Sequence, residues 1–129
     1  MQRIKRILSL WLPVVIWAGV IFFFSSRPTI KTVDFFLGDF ILKKSAHLIE
    51  YGVFAALFFR ALIHSGVTKK KAMLFSILAS FLYACTDEYH QSFVFGRTAV
   101  TRDVLIDTTG ATIFIYGVIR NIKKKLDQL

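Results

Sequence analysis

The sequence is poor in residues that cross-link, break or acidify a chain. It has one cysteine, Cys85, which excludes an internal disulfide and any cysteine-rich zinc site. Cys85 falls inside an apolar run and reads as a packed thiol. Of the two prolines, Pro13 lies within an apolar segment, where it can kink a helix. Only 8 acids stand against 17 Lys and Arg residues. No Gly-x-Ser-x-Gly elbow marks a serine nucleophile, and there are no internal repeats or low-complexity stretches. Arg3-Ile4-Lys5-Arg6 leads into an apolar stretch, as in a signal peptide. That stretch is too long for a signal's apolar region and lacks a small-x-small cleavage site. It reads as a retained helix.

Apolar residues are abundant. The chain is 55% hydrophobic, with mean hydropathy +0.57 and 14 Phe among 129 residues. A soluble single domain needs less apolar surface, and a bilayer takes it up. The net charge of +9 does not indicate nucleic acid, because the basic residues do not interleave with aromatics on one polar surface. They flank apolar segments in short clusters, as topology signals do.

The expected fold is all-α: one polytopic membrane domain over 1–129, a small bundle of about four transmembrane helices at 7–24, 44–63, 72–90 and 103–120. The last three carry charges, each costing at least ~2.5 kcal/mol on insertion scales. A three-span alternative leaves the fourth segment, with Asp107, at the interface. Four is preferred, because 104–119 holds a single charge.

Orientation follows from Lys and Arg near the helix ends. Arg3, Lys5, Arg6, Arg60, Lys69, Lys70, Lys71, Arg120, Lys123, Lys124 and Lys125 gather on one face with one acid, Asp127. The other face has six basic residues and seven acids. The basic face is expected in the cytoplasm, with both termini. Two loops then face outward. In the first, 25–43, Phe35-Phe36-Leu37 and Phe40-Ile41-Leu42 are interrupted by Gly38-Asp39 and suggest a short interfacial element. The second, 91–102, carries Phe93 and Phe95 as headgroup anchors or dips in as a re-entrant loop.

The polar residues form one constellation. Segment two opens with Lys44, His47, Glu50 and Tyr51, in which 44, 47 and 51 share a helix face and 50 lies beside 47. Segment three closes with Asp87, Glu88, His90 and Gln91, with Tyr83 one turn below Asp87. Segment four opens with Arg102, Asp103 and Asp107, and Asp103, Asp107 and Gly110 share a stripe. Four spans bring these ends, with Arg97, to one membrane layer. Ionisable groups there are expensive and normally pair or face a wet cavity. Blander roles are open to several: Asp103 as a first-turn acid with Thr101 as N-cap, Asp87-Glu88 as a solvated helix end, His90 as an interfacial loop residue, Arg60 as a snorkelling side chain, the tyrosines as packing groups, and the whole set as a structural salt-bridge network.

Lys44-x-x-His47 with Glu50-Tyr51, Asp87-Glu88-x-x-Gln91-x-Phe93, Gly96-Arg97 and Asp103-x-x-x-Asp107-x-x-Gly110 resemble the motifs of the VanZ-like family, from about Leu42 to Gly117. The resemblance implies a small membrane protein linked to glycopeptide (teicoplanin) resistance. It also implies that the charge of Asp107, a position often Asn in the family, is dispensable.

Three functions suit this inventory. An outer-face enzyme acting on an envelope lipid or lipid-linked precursor would use His47, Glu50, Asp87 and Glu88 for catalysis. Lys44, Tyr51, Gln91, Arg97 and Arg102 would bind its ligand, and Asp87, Glu88, Asp103 and Asp107 could hold Mg²⁺ or Mn²⁺. A non-catalytic binder would take a membrane lipid or a lipoglycopeptide. A small transporter would use His47 and Glu50 as relay groups, but charges confined to one end argue against it. Arg97 follows Gly96 in a loop and is expected to pair with carboxylates at rest and to bind ligand with little effect on stability. Glu50 is expected against His47.

The charge split yields a direct test of topology. A cysteine replacing Arg97 should react with a membrane-impermeant thiol reagent applied to intact cells, and one replacing Lys70 should not. Labelling at position 70 would reverse the orientation.

Overall fold

The protein is described here by a computed structural model, which covers residues 2–28 and 36–127. It consists of four helices: α1 (Gln2–Ser25), α2 (Phe36–His64), α3 (Lys69–Gln91) and α4 (Thr101–Leu126). No strand occurs among the described residues.

Each helix outruns the apolar segment read from sequence. The expected interfacial element after α1 is instead the first two turns of α2, from Phe36; Phe35 lies outside the described residues. The interruption at Gly38-Asp39 is too weak to end a helix, since an interior Gly costs only about 1 kcal/mol. α4 runs on to Leu126, where Lys123, Lys124 and Lys125 favour the negative end of the helix dipole. α2 ends at His64, and Gly66 just beyond it, with a φ of 90°, lets the chain reverse. The N–H of Val67 then reaches the Leu62 carbonyl at 3.1 Å.

The helices alternate in direction, so α2 and α4 run parallel, as do α1 and α3. Lys44 meets Asp103 and His47 meets Asp107. Further along the same two helices Leu48 meets Gly110, and Gly52 meets Phe114. α1 and α3 are joined by Tyr83 Oη donating to the Ala18 carbonyl (2.6 Å), and nearer the helix ends by Ser26 and His90 (3.0 Å).

Packing depends on small residues. Ala72, Ser76, Ser80 and Ala84 recur every four residues along α3 and are fully buried. The two serine hydroxyls donate to carbonyls of their own helix, so no polar atom is stranded. Such stripes let helix backbones approach closely where hydrophobic pressure cannot drive them together. α2 and α4 form the most extensive pair. α1 lies against α2 and α3, where Trp17 Nε1 donates to the Glu50 carbonyl at 2.8 Å.

The surface reverses the pattern of a soluble protein. Leu12, Val15, Ile16, Phe22, Phe23 and Phe24 of α1 are more than half exposed, as are Leu74 and Leu82 of α3 and Leu105 and Ile113 of α4. The buried set includes Asp87, Glu88, Asp103 and Asp107. Two helical stretches, Gln2–Ser25 and Phe40–His64, are long and apolar enough to cross a membrane.

A Cβ at Gly110 would stand 2.4 Å from the backbone oxygen of Leu48, whereas one at Gly117 would meet nothing. Gly110→Ala should therefore force α2 and α4 apart and cost about 1–3 kcal/mol. Gly117→Ala should be neutral or slightly stabilising. Thermal unfolding of both variants in detergent measures the difference, and equal melting temperatures would refute the close approach.

Candidate functional site

The polar groups converge at one end of the bundle, where α1 and α3 finish and α2 and α4 begin. On the α2–α4 side, the Lys44 ammonium pairs with Asp103 Oδ2. Arg102 Nε lies 3.9 Å from Asp103 Oδ1. Both cations also stand over the Phe40 ring, Arg102 at 5.1 Å and Lys44 at 5.8 Å from its centroid. One turn further in, His47 Nδ1 lies 3.3 Å from Asp107 Oδ1. The contact is charged only when the ring is protonated, and its angles fall outside those of a hydrogen bond. Asp107 is within electrostatic reach of Asp87 and Asp103.

On the α1–α3 side the contacts form a chain. Gln91 Nε2 donates to Asp87 Oδ2 at 3.0 Å. Arg97 Nη1 donates to Gln91 Oε1 at 3.3 Å. The same guanidinium donates to the carbonyls of Phe24 (Nη2, 3.0 Å) and Arg27 (Nε, 3.0 Å), which closes the C-terminal end of α1. Glu88 Oε2 accepts from the backbone N–H of Val100 at 2.8 Å and so fixes the start of α4 to the end of α3.

Between the two sides lies a cavity of about 520 Å³. Of the residues singled out by sequence, Lys44, His47, Glu50, Asp87, Gln91, Arg97 and Arg102 line it. Tyr51, Glu88, Asp103 and Asp107 are buried behind it, and their role here is to hold the wall. Ser25, Arg27, Phe40 and Lys43 also line the cavity and were missed. Arg27 and Lys43 flank a stretch that reads as a connecting loop. Ser25 is an unremarkable serine until α1 is packed beside α3.

Four local details are now defined. Arg97 holds backbone carbonyls and an amide instead of carboxylates. His47 meets Asp107 across the bundle, because Asp107 is the side chain that α4 brings opposite, and Glu50 of its own helix stays within electrostatic reach. α4 has Val100 as N-cap, with no side-chain cap bond, instead of Thr101. His90 belongs to α3, where its ring packs 4.6 Å from that of Phe22.

The acids do not form a metal cradle. Among the described residues no three His, Cys, Asp or Glu side chains come together to hold an ion. Glu88, Asp103 and Asp107 are turned instead to Val100, Lys44 and His47.

Fold and site together define a four-helix bundle with a lipid-suited surface and a charged cavity at one end. The family model described as VanZ/LLP1 matches residues 10–122, and the chain belongs to this family. Comparison with curated proteins and with solved structures gives no match.

Arg97→Lys tests the network. An ammonium is a single point charge and cannot span the Phe24 and Arg27 carbonyls and Gln91 at once. Losing two hydrogen bonds should lower stability by about 1–2 kcal/mol, read as a lower melting temperature in detergent. An unchanged melting temperature would mean that α1 is held by other contacts.

Proposed function

We propose that this chain is a four-span membrane protein with both termini in the cytoplasm, and that its outward-facing cavity binds the phosphate-bearing headgroup of an envelope lipid or lipid-linked precursor. One observation carries the reading: five cations, Arg27, Lys43, Lys44, Arg97 and Arg102, line the cavity against two carboxylates, Glu50 and Asp87. Arginine forks suit phosphate oxygens. Ile21, Phe24 and Phe40 give the same wall apolar ground for the first carbons of a lipid tail. The eleven basic residues at the opposite end support the orientation. Family membership supports a link to glycopeptide resistance, and a headgroup site offers a physical route to it, since a lipoglycopeptide is itself amphipathic and acts at the outer leaflet.

The His47–Asp107 contact favours a second reading, acid–base chemistry on the bound headgroup. His47 lines the cavity while its Nδ1 faces a buried carboxylate, the kind of neighbour a general acid or base commonly has.

Binding of short-chain phosphatidic acid and phosphatidylcholine to the purified protein in neutral detergent tests the first reading. The anionic lipid should bind preferentially. Arg27→Gln and Arg102→Gln, on the exposed rim, should each weaken it about tenfold, as expected for a charged hydrogen bond. Equal binding of the two lipids, or indifference to both substitutions, would refute the headgroup site. A released or transferred headgroup in the same samples would favour the second reading.

A further inference from the structure

We infer that the ligand carries hydroxyl groups on the far side of its phosphate, so that the cavity takes a polyol phosphate headgroup, such as a glycerol or sugar phosphodiester, in preference to a bare one. This rests on the headgroup reading above and narrows it.

Two of the lining side chains are almost fully buried and have a polar atom with no partner. Asp87 is 4% exposed; its Oδ2 is occupied by Gln91 and its Oδ1 is unpaired. Ser25 is 3% exposed and its Oγ is unpaired. They come from α3 and α1, so the cavity has unsatisfied polar atoms on two separate helices. Buried polar atoms without partners are costly, and a ligand that supplies the partners gains what the free protein lacks. Asp87 Oδ1 needs a donor, and Ser25 Oγ can donate or accept.

The arrangement is graded along the bundle axis. Lys44, Arg97 and Arg102 lie near the helix ends. Glu50 lies about 9 Å further in along α2 than Lys44, and Asp87 about 6 Å further in along α3 than Gln91, at 1.5 Å per residue. A phosphate held at the rim thus places any attached group toward carboxylates. An amine could also donate to them, but burying an ammonium costs more than burying a hydroxyl. A neutral hydroxyl donates without that cost.

The probes are short-chain phosphatidylglycerol, phosphatidylmethanol and phosphatidylethanolamine. The first two have the same phosphodiester charge and differ in the headgroup hydroxyls. Phosphatidylglycerol should bind at least about fivefold more tightly than phosphatidylmethanol, the equivalent of one ordinary hydrogen bond. Ser25→Ala or Asp87→Asn should move that ratio toward one. Should Asp87→Asn fail to fold by thermal melting, Ser25→Ala alone decides. Equal binding of the glycerol and methanol lipids, or a ratio unchanged in every folded variant, would overturn this inference while leaving the phosphate site standing. Phosphatidylethanolamine binding as tightly as phosphatidylglycerol would overturn the preference for hydroxyls. Failure of every phosphodiester to bind would refute the headgroup reading itself.

Discussion

Everything at the polar end follows from the need to answer buried carboxylates. Asp87, Glu88, Asp103 and Asp107 are each at least nine-tenths buried in a bundle whose outer surface is apolar. An unanswered charge in such a place costs several kcal/mol, more than a small bundle can spare. The partners come from other elements: Lys44 and His47 of α2 for the α4 acids, and the Val100 amide for Glu88. Asp87 is the exception, answered within α3 by Gln91, which is itself held by Arg97. The ion pairs therefore set helix register. Sliding α4 by one residue along α2 would break both pairs and drive Leu48 into a residue other than Gly110.

This constraint explains why cavity and scaffold draw on the same residues. Lys44 faces the cavity and also neutralises Asp103. Arg97 lines the cavity and closes the end of α1. A cation bound only to protein would be spent, and one free of protein would leave an acid or a carbonyl unanswered. The same cations thus face the cavity and hold the fold. A substitution that lowers function here accordingly carries a stability component, and the rim residues Arg27 and Arg102 separate the two effects best.

Helix count, charge asymmetry and the convergence of Lys44, His47, Asp87, Gln91 and Asp103 were legible in the sequence, because helical spacing and the alternation of direction determine which ends meet. Individual partners were not. Helical spacing put Glu50 beside His47, yet tertiary packing set Asp107 opposite it. The extent of α2 was hidden by Gly38 and Asp39, whose local signal is weaker than the helix they interrupt. Ser25 and Arg27 carried no signal, since a single helix end gives no hint of the cavity beside it. Arg97 was visible as a functional candidate, but its hydrogen bonds go to backbone carbonyls, and no pattern of side chains announces these.

The two walls of the cavity are built from unlike forces. α2 and α4 are joined by ion pairs and by backbone contact at Gly110. The described polar ties of α1 are of another kind: Arg6 to the His64 carbonyl, Trp17 to the Glu50 carbonyl, Tyr83 to the Ala18 carbonyl, Arg97 to the Phe24 and Arg27 carbonyls, and Ser26 to His90. A neutral hydrogen bond to a carbonyl is worth about 1 kcal/mol net, and one from a charged donor such as Arg97 about 1.5–3 kcal/mol. A desolvated ion pair acts over several ångströms. The polar ties of α1 are thus hydrogen bonds to neutral groups, whereas α2 and α4 are held also by the Lys44–Asp103 ion pair and by backbone contact at Gly110. The Arg97 guanidinium, which has five N–H groups, holds the Phe24 and Arg27 carbonyls with two of them and Gln91 with a third, so the seating of α1 and the shape of the cavity wall rest on one side chain.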